Sequence, residues 1–291
     1  MSKVGIVGYG YVGKGIHKIF PDAVIYDEPL GVGSREEINR CDLVIVCVPT
    51  PIKELEKEFK PADTSIVKEV INWIDAKYVL IKSTIPPQTT DGLINQTGKK
   101  ICFSPEYMGE GGYQITPWRY MSPTDPQTHD FVIIGGDKKT REEIANIFTE
   151  RLGPEKTYYL CEATEAEMIK YLENSYIGLK VAFFNQIYDL CQKLGISYHT
   201  VREGWALDNR VDKMHTSVFV NKRKIGGKCL PKDINALISK ADELGVDLSI
   251  LKLIVKKNKI GAPNKLTKKS EVVKNESKTK HNKNISRKRY Y

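Results

Sequence analysis

The chain of 291 residues lacks any apolar run near the ~20 residues that a membrane-spanning helix requires. Its start, Met-Ser-Lys-Val-Gly-Ile-Val, enters a strand pattern directly, without the charged and apolar regions of a signal peptide. Its six cysteines form no C-x-x-C pair and have no zinc-like spacing with histidine. We therefore expect a cytoplasmic protein with reduced thiols, no membrane association and no metal site.

The chain also lacks an even distribution of charge. Of the formal net charge of +9, residues 262–291 carry +8, from ten basic and two acidic residues, and the rest of the chain carries +1. This segment is rich in Lys, Asn, Ser and Thr and has few residues that form a core, which predicts a disordered basic tail. The composition therefore does not indicate a nucleic-acid-binding fold, and we expect at most weak, salt-dependent polyanion binding through the tail.

Apolar runs alternate with amphipathic stretches over residues 1–161. Strands are predicted at Lys3–Val7, Ala23–Tyr26, Asp42–Val48, Tyr78–Lys82, Ile101–Ser104, Phe131–Gly135 and Thr157–Leu160, and helices at Val12–Phe20, Thr64–Ile74, Thr89–Thr97 and Arg141–Arg151. Such repeated βα units predict an α/β fold, a Rossmann-like doubly wound parallel sheet with helices on both faces. We assign residues 1–161 to this domain.

Helical patterns replace this alternation from residue 162. The segment Glu162–Leu194 has no proline and keeps a helical period throughout, which predicts one long helix. Shorter helices are predicted at Tyr198–Leu207, Asp233–Leu244 and Leu248–Lys257. We therefore expect a mostly α central domain at residues 162–261, followed by the tail at 262–291.

A glycine motif, Gly8-Tyr9-Gly10-Tyr11-Val12-Gly13, follows the first strand and opens the first helix. Glycines at these positions allow a tight turn, close approach of a pyrophosphate to the backbone, and packing of the helix on the sheet. Asp27 ends the next strand, where a carboxylate accepts hydrogen bonds from the ribose of NAD and repels the 2′-phosphate of NADP. The pattern predicts NAD as the cofactor, bound by Gly8, Gly10, Tyr11, Val12, Gly13 and Asp27.

Three loops follow predicted strands, at residues 48–51, 83–87 and 104–111. Ligands of open α/β sheets lie outside the carboxyl ends of the strands, so these loops are expected to converge near the reactive end of the cofactor. Taken singly, each loop is better explained as an ordinary turn stiffened by proline.

Two further patterns lie in the helical half. Lys170 and Asn174 are four residues apart and share one face of the long helix, so both can point at one small site, although the spacing alone favours an unrelated surface lysine and asparagine. Cys229 follows two glycines and precedes a helix that is expected to start near Pro231. A thiol at a helix N-terminus, here between Lys228 and Lys232, is favoured as a thiolate, which indicates a nucleophile rather than a half-buried cysteine at a turn.

Together and in this order, the segments resemble the UDP-glucose/GDP-mannose dehydrogenase family over about residues 3–257. The most specific match is Gly-Gly-Lys-Cys-Leu-Pro-Lys-Asp at 226–233. The resemblance implies an NAD-dependent nucleotide-sugar 6-dehydrogenase, nearest to the members acting on UDP-glucose, which oxidise a sugar primary alcohol to a carboxylate. It also implies a homodimer formed through the long helix.

The resemblance also implies a role for each matching position. Cys229 attacks the aldehyde to give a thiohemiacetal and then a thioester, Lys170 and Asn174 stabilise the oxyanion, and Thr84, Glu106 and Asp233 position water and move protons. The cofactor contacts implied are Pro49, Thr50, Ser83, Thr84 and Glu110. The substrate contacts implied are Glu106, Tyr107, Met108, Lys170, Asn174, Arg210, Gly227 and Lys232.

The chain departs from the family at two places, and two other functions stay open. Lys228 stands where the family has a small serine, and the match ends before the third domain that closes over the nucleotide in typical members. A two-domain β-hydroxyacid dehydrogenase also has a Rossmann domain and a long helix with a Lys…Asn pair, but it needs no cysteine. A non-catalytic nucleotide-binding module with a polyanion-binding tail is the other alternative.

Overall fold

The computed structural model describes residues 2–52, 59–109, 124–227 and 229–258. The sequence predictions for Glu110, Lys228 and the tail at 262–291 therefore lie outside the described residues. Within the described ranges, the chain forms a seven-stranded sheet up to Cys161 and then continues in helices.

The strands follow one another across most of the sheet. They are β1 (Val4–Val7), β2 (Val24–Tyr26), β3 (Leu43–Val46), β4 (Tyr78–Ile81), β5 (Ile101–Phe103), β6 (Phe131–Gly135) and β7 (Thr157–Cys161), in the spatial order β2-β1-β3-β4-β5-β6-β7. The first five strands are parallel, while β6 meets β5 antiparallel through the pair Phe103 and Gly135. The Rossmann-like α/β class is confirmed, with a sheet that is mostly rather than wholly parallel.

Helices cover both faces of this sheet. They are α1 (Tyr11–Ile19), α2 (Arg35–Ile38), α3 (Ser65–Trp73), α4 (Thr89–Thr97) and α5 (Lys138–Leu152), with a 3₁₀ turn at Pro126–Thr128. Because side chains alternate along a strand, Val44 and Val46 of β3 pack in the cluster containing α3 and α4, while Leu43 and Ile45 pack in the cluster containing α1 and α5. All four residues of β3 are buried, as expected of a parallel strand covered on both sides.

The helical half consists of α6 (Ala163–Leu194), α7 (Tyr198–Trp205), α8 (Cys229–Glu243) and α9 (Ser249–Asn258). The helix α6 starts with a capping box formed by Glu162 and Glu165 and ends at Gly195, whose φ is +68°. It packs closely on α8, since a Cβ added at Gly178 would lie 2.5 Å from Cδ1 of Ile234. The small residue lets the first turns of α8 approach the middle of α6.

The start of α8 differs from the prediction. The sequence predicts a helix from Asp233 with Pro231 near its first position, but the helix already begins at Cys229. Proline is tolerated throughout the first turn, where its missing N–H has no intrahelical partner. The thiol of Cys229 therefore belongs to the first residue of the helix rather than to the preceding loop.

Among the described residues, no helix is both long and apolar enough to cross a membrane.

Candidate active site

The glycine loop after β1 forms a cradle built from backbone. Gly8 has a φ of +92°, and its N–H donates to the carbonyl of Tyr26 at 2.8 Å. A Cβ at Gly13 would lie 2.0 Å from the carbonyl oxygen of Gly8, whereas a Cβ at Gly10 would meet no described atom within 4 Å. Gly10 caps α1 without a side-chain bond, so this open side exposes N–H groups of the first helical turn to a ligand. The loop fits a dinucleotide pyrophosphate.

Asp27 lies next to this loop at the end of β2. Its Oδ2 accepts from the backbone N–H of Tyr9 at 2.6 Å, and its Oδ1 accepts from that of Leu30 at 3.0 Å. The half-buried carboxylate thus holds the glycine loop against the end of β2. It places a negative charge beside the pyrophosphate site, which fits the ribose of NAD and disfavours a 2′-phosphate.

The loop after β5 reaches back to α1. The hydroxyl of Tyr11 donates to the carbonyl of Gly109. Met108 packs on α1, because a Cβ added at Gly15 would lie 2.2 Å from its Sδ. Met108, predicted to contact substrate, therefore lies against the helix of the glycine loop, while Val12 packs on the core of the sheet.

Two strand-end loops predicted to converge are hydrogen-bonded to each other. The hydroxyl of Thr50, after β3, donates to the carbonyl of Thr84, after β4, at 2.8 Å. The hydroxyl of Ser83 donates to the carbonyl of Val48 at 2.7 Å. Pro49 is exposed beside them. These bonds place four of the residues predicted to contact the cofactor at one edge of the sheet.

Glu106 is buried after β5 and forms an ion pair that the sequence analysis did not predict. Its Oε2 lies 3.2 Å from Nζ of Lys82, which is buried at the end of β4. Its Oε1 accepts from the backbone N–H groups of Tyr107 and Met108, both at 2.8 Å. Burial by itself raises the pKa of this carboxyl, but Lys82 and the two N–H groups together hold the pKa of Glu106 below its usual value.

The helical half supplies a second polar group. The Nδ2 of Asn174 on α6 donates to Oδ2 of Asp233 on α8 at 2.5 Å, and Nζ of Lys232 donates to Oδ1 at 2.5 Å. Asp233 is only 1% exposed, so both of its oxygens are engaged inside the protein. The Nζ of Lys170 lies 5.0 Å from the ring centroid of Tyr107, within the range of a cation–π contact. This contact joins α6 to the loop after β5.

Cys229 is the exposed cysteine of the site. The other five cysteines are buried, and burial raises the pKa of Cys102 to about 12 and of Cys161 to about 11. Cys229 opens α8 one turn before Asp233, so the two share a helix face. Gly227 precedes it with a φ of +80°. An exposed thiol at a helix N-terminus is favoured as a thiolate.

Arg210 is not brought into this group. It was predicted to contact the substrate, yet its side chain is 88% exposed and pairs with Asp208 at 2.5 Å. Among the described residues, no three His, Cys, Asp or Glu side chains are grouped as a metal site.

Glu167, which the sequence analysis also missed, connects the two halves. It lies on α6, is fully buried, and accepts from the backbone N–H of Gln88 at 2.6 Å and of Thr90 at 2.8 Å. The Thr90 hydroxyl donates to it at 2.6 Å. Lys82 and Glu167 could have been found in the sequence as charged residues within otherwise apolar segments, at a strand end and on a helix face respectively.

The glycine loop, Asp27 and the adjoining strand-end loops define a dinucleotide-dependent dehydrogenase of the Rossmann class. The chain belongs to the UDP-glucose/GDP-mannose dehydrogenase family. The family's NAD binding domain matches residues 27–151, and its central domain matches residues 164–260.

Individual relatives agree with this family. The UDP-glucose 6-dehydrogenase of Rickettsia prowazekii is 28% identical over 244 residues, which cover 80% of this chain and 52% of that protein. The chain spans about half the length of the curated relatives it matches.

Solved structures show the same fold. A UDP-glucose dehydrogenase from Pyrobaculum islandicum superposes with a TM-score of 0.73 at 24% identity, covering 89% of this chain and 68% of that one. The 3-hydroxyisobutyrate dehydrogenase of Mycobacterium tuberculosis superposes with a TM-score of 0.61 at 15% identity, covering 88% of this chain and 92% of that one. At these identities the likeness is one of fold.

Proposed function

We propose that the chain is an NAD-dependent nucleotide-sugar 6-dehydrogenase that converts a sugar primary alcohol to a carboxylate, with UDP-glucose as substrate and UDP-glucuronate as product. The observation that carries the proposal is the exposed thiol of Cys229 at the start of α8, one turn from Asp233, which is bonded to Asn174. A nucleophilic thiol is required for a four-electron oxidation that passes through an acyl intermediate.

The reaction balances with a single thiol. NAD, which the glycine loop and Asp27 would hold, would supply a hydride acceptor for each of the two oxidations, that of the alcohol and that of the thiohemiacetal. Between these oxidations the thiolate of Cys229 adds to the aldehyde carbon, and the C–S bond of the resulting thioester is finally broken by water. One alcohol, two NAD⁺ and one water give one carboxylate, two NADH and three protons.

The side chains around the thiol fit these steps. An oxyanion develops at the sugar carbon, and we assign its stabilisation to the ammonium of Lys170 and the amide of Asn174. Asp233 accepts from that amide through Oδ2 and from the ammonium of Lys232 through Oδ1, and so orients Asn174 and Lys232. Thr84 and Glu106, at the strand ends, are assigned to the attacking water.

The homodimer is proposed along α6. Five large apolar side chains of this helix are each more than half exposed: Leu172, Tyr176, Phe183, Leu190 and Leu194. Their spacing of four and seven residues places them on one helix face, and an exposed apolar stripe of this kind marks an interaction surface. A second copy of the chain fits it, because the stripe is able to pair with itself about a two-fold axis.

The remaining assignments follow from the same proposal. The proposal includes two domains, at residues 1–161 and 162–261, and the cofactor contacts predicted from the sequence. It also includes a cytoplasmic location and a role in nucleotide-sugar metabolism for polysaccharide synthesis. The proposal gives residues 262–291 no role in catalysis, so a chain lacking these residues is expected to keep its dehydrogenase activity.

NADH absorbance with a panel of UDP- and GDP-sugars tests the proposal. We expect two NADH per sugar with the wild-type chain, no carboxylate with Cys229→Ser, and a thioester on Cys229 when the reaction is quenched with acid. Cys191→Ser, a buried cysteine far along α6, is the matched control. One NADH per substrate, unaffected by Cys229→Ser, would instead indicate a β-hydroxyacid dehydrogenase. NAD binding without turnover on any sugar would indicate a non-catalytic module.

A further inference from the structure

A buried lysine ends the apolar strand β4. Lys82 follows four buried residues and is itself 7% exposed. Its Nζ donates to the carbonyl of Pro105 at 2.9 Å and to the hydroxyl of Ser104 at 3.3 Å, and it lies 3.2 Å from Oε2 of Glu106. A buried ammonium is costly unless it is paired, and here these three polar partners come from the loop after β5.

The two carboxyl oxygens of Glu106 have different surroundings: Oε1 accepts hydrogen bonds, whereas Oε2 has a charge partner but no hydrogen bond among the described residues. Oε1 accepts two backbone N–H groups, and Oε2 faces the ammonium of Lys82. A proton on Oε1 would displace the two N–H donors, and neutralising the carboxylate by a proton on Oε2 would remove the charge partner of the buried Lys82 ammonium. The surroundings therefore favour the ionised form, in agreement with the lowered pKa of Glu106, which holds although burial opposes it.

Two other titratable groups near this ion pair, Cys47 and Lys170, add no negative charge to it. Cys47 approaches from the end of β3, and burial raises the pKa of its thiol, which is therefore neutral. The ammonium of Lys170, on α6, lies over the ring of Tyr107, the residue that follows Glu106. Of these groups, Lys82 is the one whose charge is in direct contact with the Glu106 carboxylate.

We propose that Lys82 is a positioning residue that keeps Glu106 ionised, and thereby restricts Glu106 to accepting protons rather than donating them. The catalytic part of this inference rests on the proposed function. There, Glu106 takes one proton from the water whose oxygen bonds to the acyl carbon, while the C–S bond breaks and the electron pair returns to the sulfur of Cys229. The bound proton then passes to solvent.

The ionisation state is measurable without turnover. In the full chain labelled with ¹³C at glutamate carboxyls, Glu106→Gln identifies the Glu106 signal by its loss. We expect the wild-type signal to titrate below the ordinary glutamate range, and Lys82→Met to move its midpoint up by about 1–3 pH units, the usual effect of one close opposite charge. Lys82→Arg keeps the charge and is expected to keep the low midpoint.

Lys180→Met is the matched control, because Lys180 is equally buried and pairs with Asp212 in the helical half. It is expected to leave the Glu106 midpoint unchanged. An unmoved midpoint in Lys82→Met overturns the inference. If Lys82→Met does not fold, a wild-type midpoint at or above the ordinary glutamate value overturns it equally.

Single-turnover hydrolysis of the thioester provides the catalytic readout. Lys82→Met is expected to shift the acid limb of its pH profile upward by the same interval as the Glu106 midpoint, whereas a merely structural role lowers the rate at every pH. A shifted midpoint in a chain without turnover on any sugar contradicts the proposed function alone. Turnover with an unshifted midpoint contradicts the role of Lys82 alone.

Discussion

The two halves of the candidate site are built from different material. The cofactor half consists of the backbone of consecutive residues, Gly8 to Gly13, held by Asp27. The half that we propose to be catalytic, called the catalytic half below, consists of side chains from separate elements, with Glu106 after β5, Asn174 on α6 and Asp233 on α8. The first half therefore depends on a local turn, and the second depends on how α6 and α8 pack on each other and on the sheet.

Two glycine substitutions test the local half most severely. A Cβ at Gly13 would lie 2.0 Å from a backbone oxygen that cannot move aside, so Gly13→Ala is expected to destabilise the chain by about 3 kcal/mol or more and to abolish NAD binding. Gly10→Ala meets no described atom within 4 Å, and its φ of −75° suits alanine.

Gly10→Ala is therefore expected to fold with a free energy of unfolding within about 1 kcal/mol of wild type and to bind NAD more weakly, because its methyl group occupies the side that the pyrophosphate approaches. Urea unfolding and NAD titration by fluorescence measure both quantities. Equal stability of the two variants would show that the close approach at Gly13 does not exist.

In the catalytic half, removal of Asp233 is expected to cost about 3 kcal/mol, because it leaves Lys232 and the amide of Asn174 without their buried acceptor. NAD affinity is expected to stay unchanged, since no cofactor contact is assigned to Asp233. Asp233→Ala is compared with Asp189→Ala, which removes an exposed partner of Arg223 and is expected to cost at most about 1 kcal/mol. Parallel losses of stability and NAD affinity in Asp233→Ala would mean that the two halves are one unit.

Glu167 connects the halves and makes their contact sensitive to pH. Burial raises the pKa of Glu167 to about 7 from an ordinary value of 4.5, although Thr90 and Gln88 donate to it. The folded state holds the proton of Glu167 more tightly than the unfolded state does. The stabilisation by protonated Glu167 is therefore complete below pH 4.5 and is lost as the pH rises through 7. A shift of this size corresponds to a loss on the order of 3 kcal/mol.

Glu167→Gln is expected to flatten the dependence of the unfolding free energy on pH between 4.5 and 7, whatever its effect on absolute stability. Glu165→Gln, on the exposed side of the same helix, is the control that keeps the slope. A slope that survives in Glu167→Gln would assign the pH dependence to another group.

The cofactor half could be predicted from the sequence because its geometry is local. Gly8, Gly10, Gly13 and Asp27 lie on adjacent segments, and the rule for parallel strands brings their loops to one edge. Lys82 and Glu167 were missed because their partners depend on strand register and helix packing. Lys82 contacts the loop after β5 because Ile81 of β4 pairs with Phe103 of β5. The hydrophobic periodicity of a sequence does not predict this register between strands. Arg210 was assigned by resemblance alone, and no local pattern placed it.

The smallest effect on stability is expected from a substitution outside both halves, at the N-terminal cap of α5. Asp137 caps α5, which packs on the sheet, and its side chain accepts from the backbone N–H of Thr140 at 3.1 Å. Asp137→Ala is expected to lower the free energy of unfolding by about 1 kcal/mol, the usual contribution of such a cap, while Asp137→Ser retains most of it. Because neither half of the site includes this cap, NAD affinity and the Glu106 titration are expected to match wild type. A change in either would mean that global stability, rather than the local turn or the α6–α8 contact, sets the properties of the site.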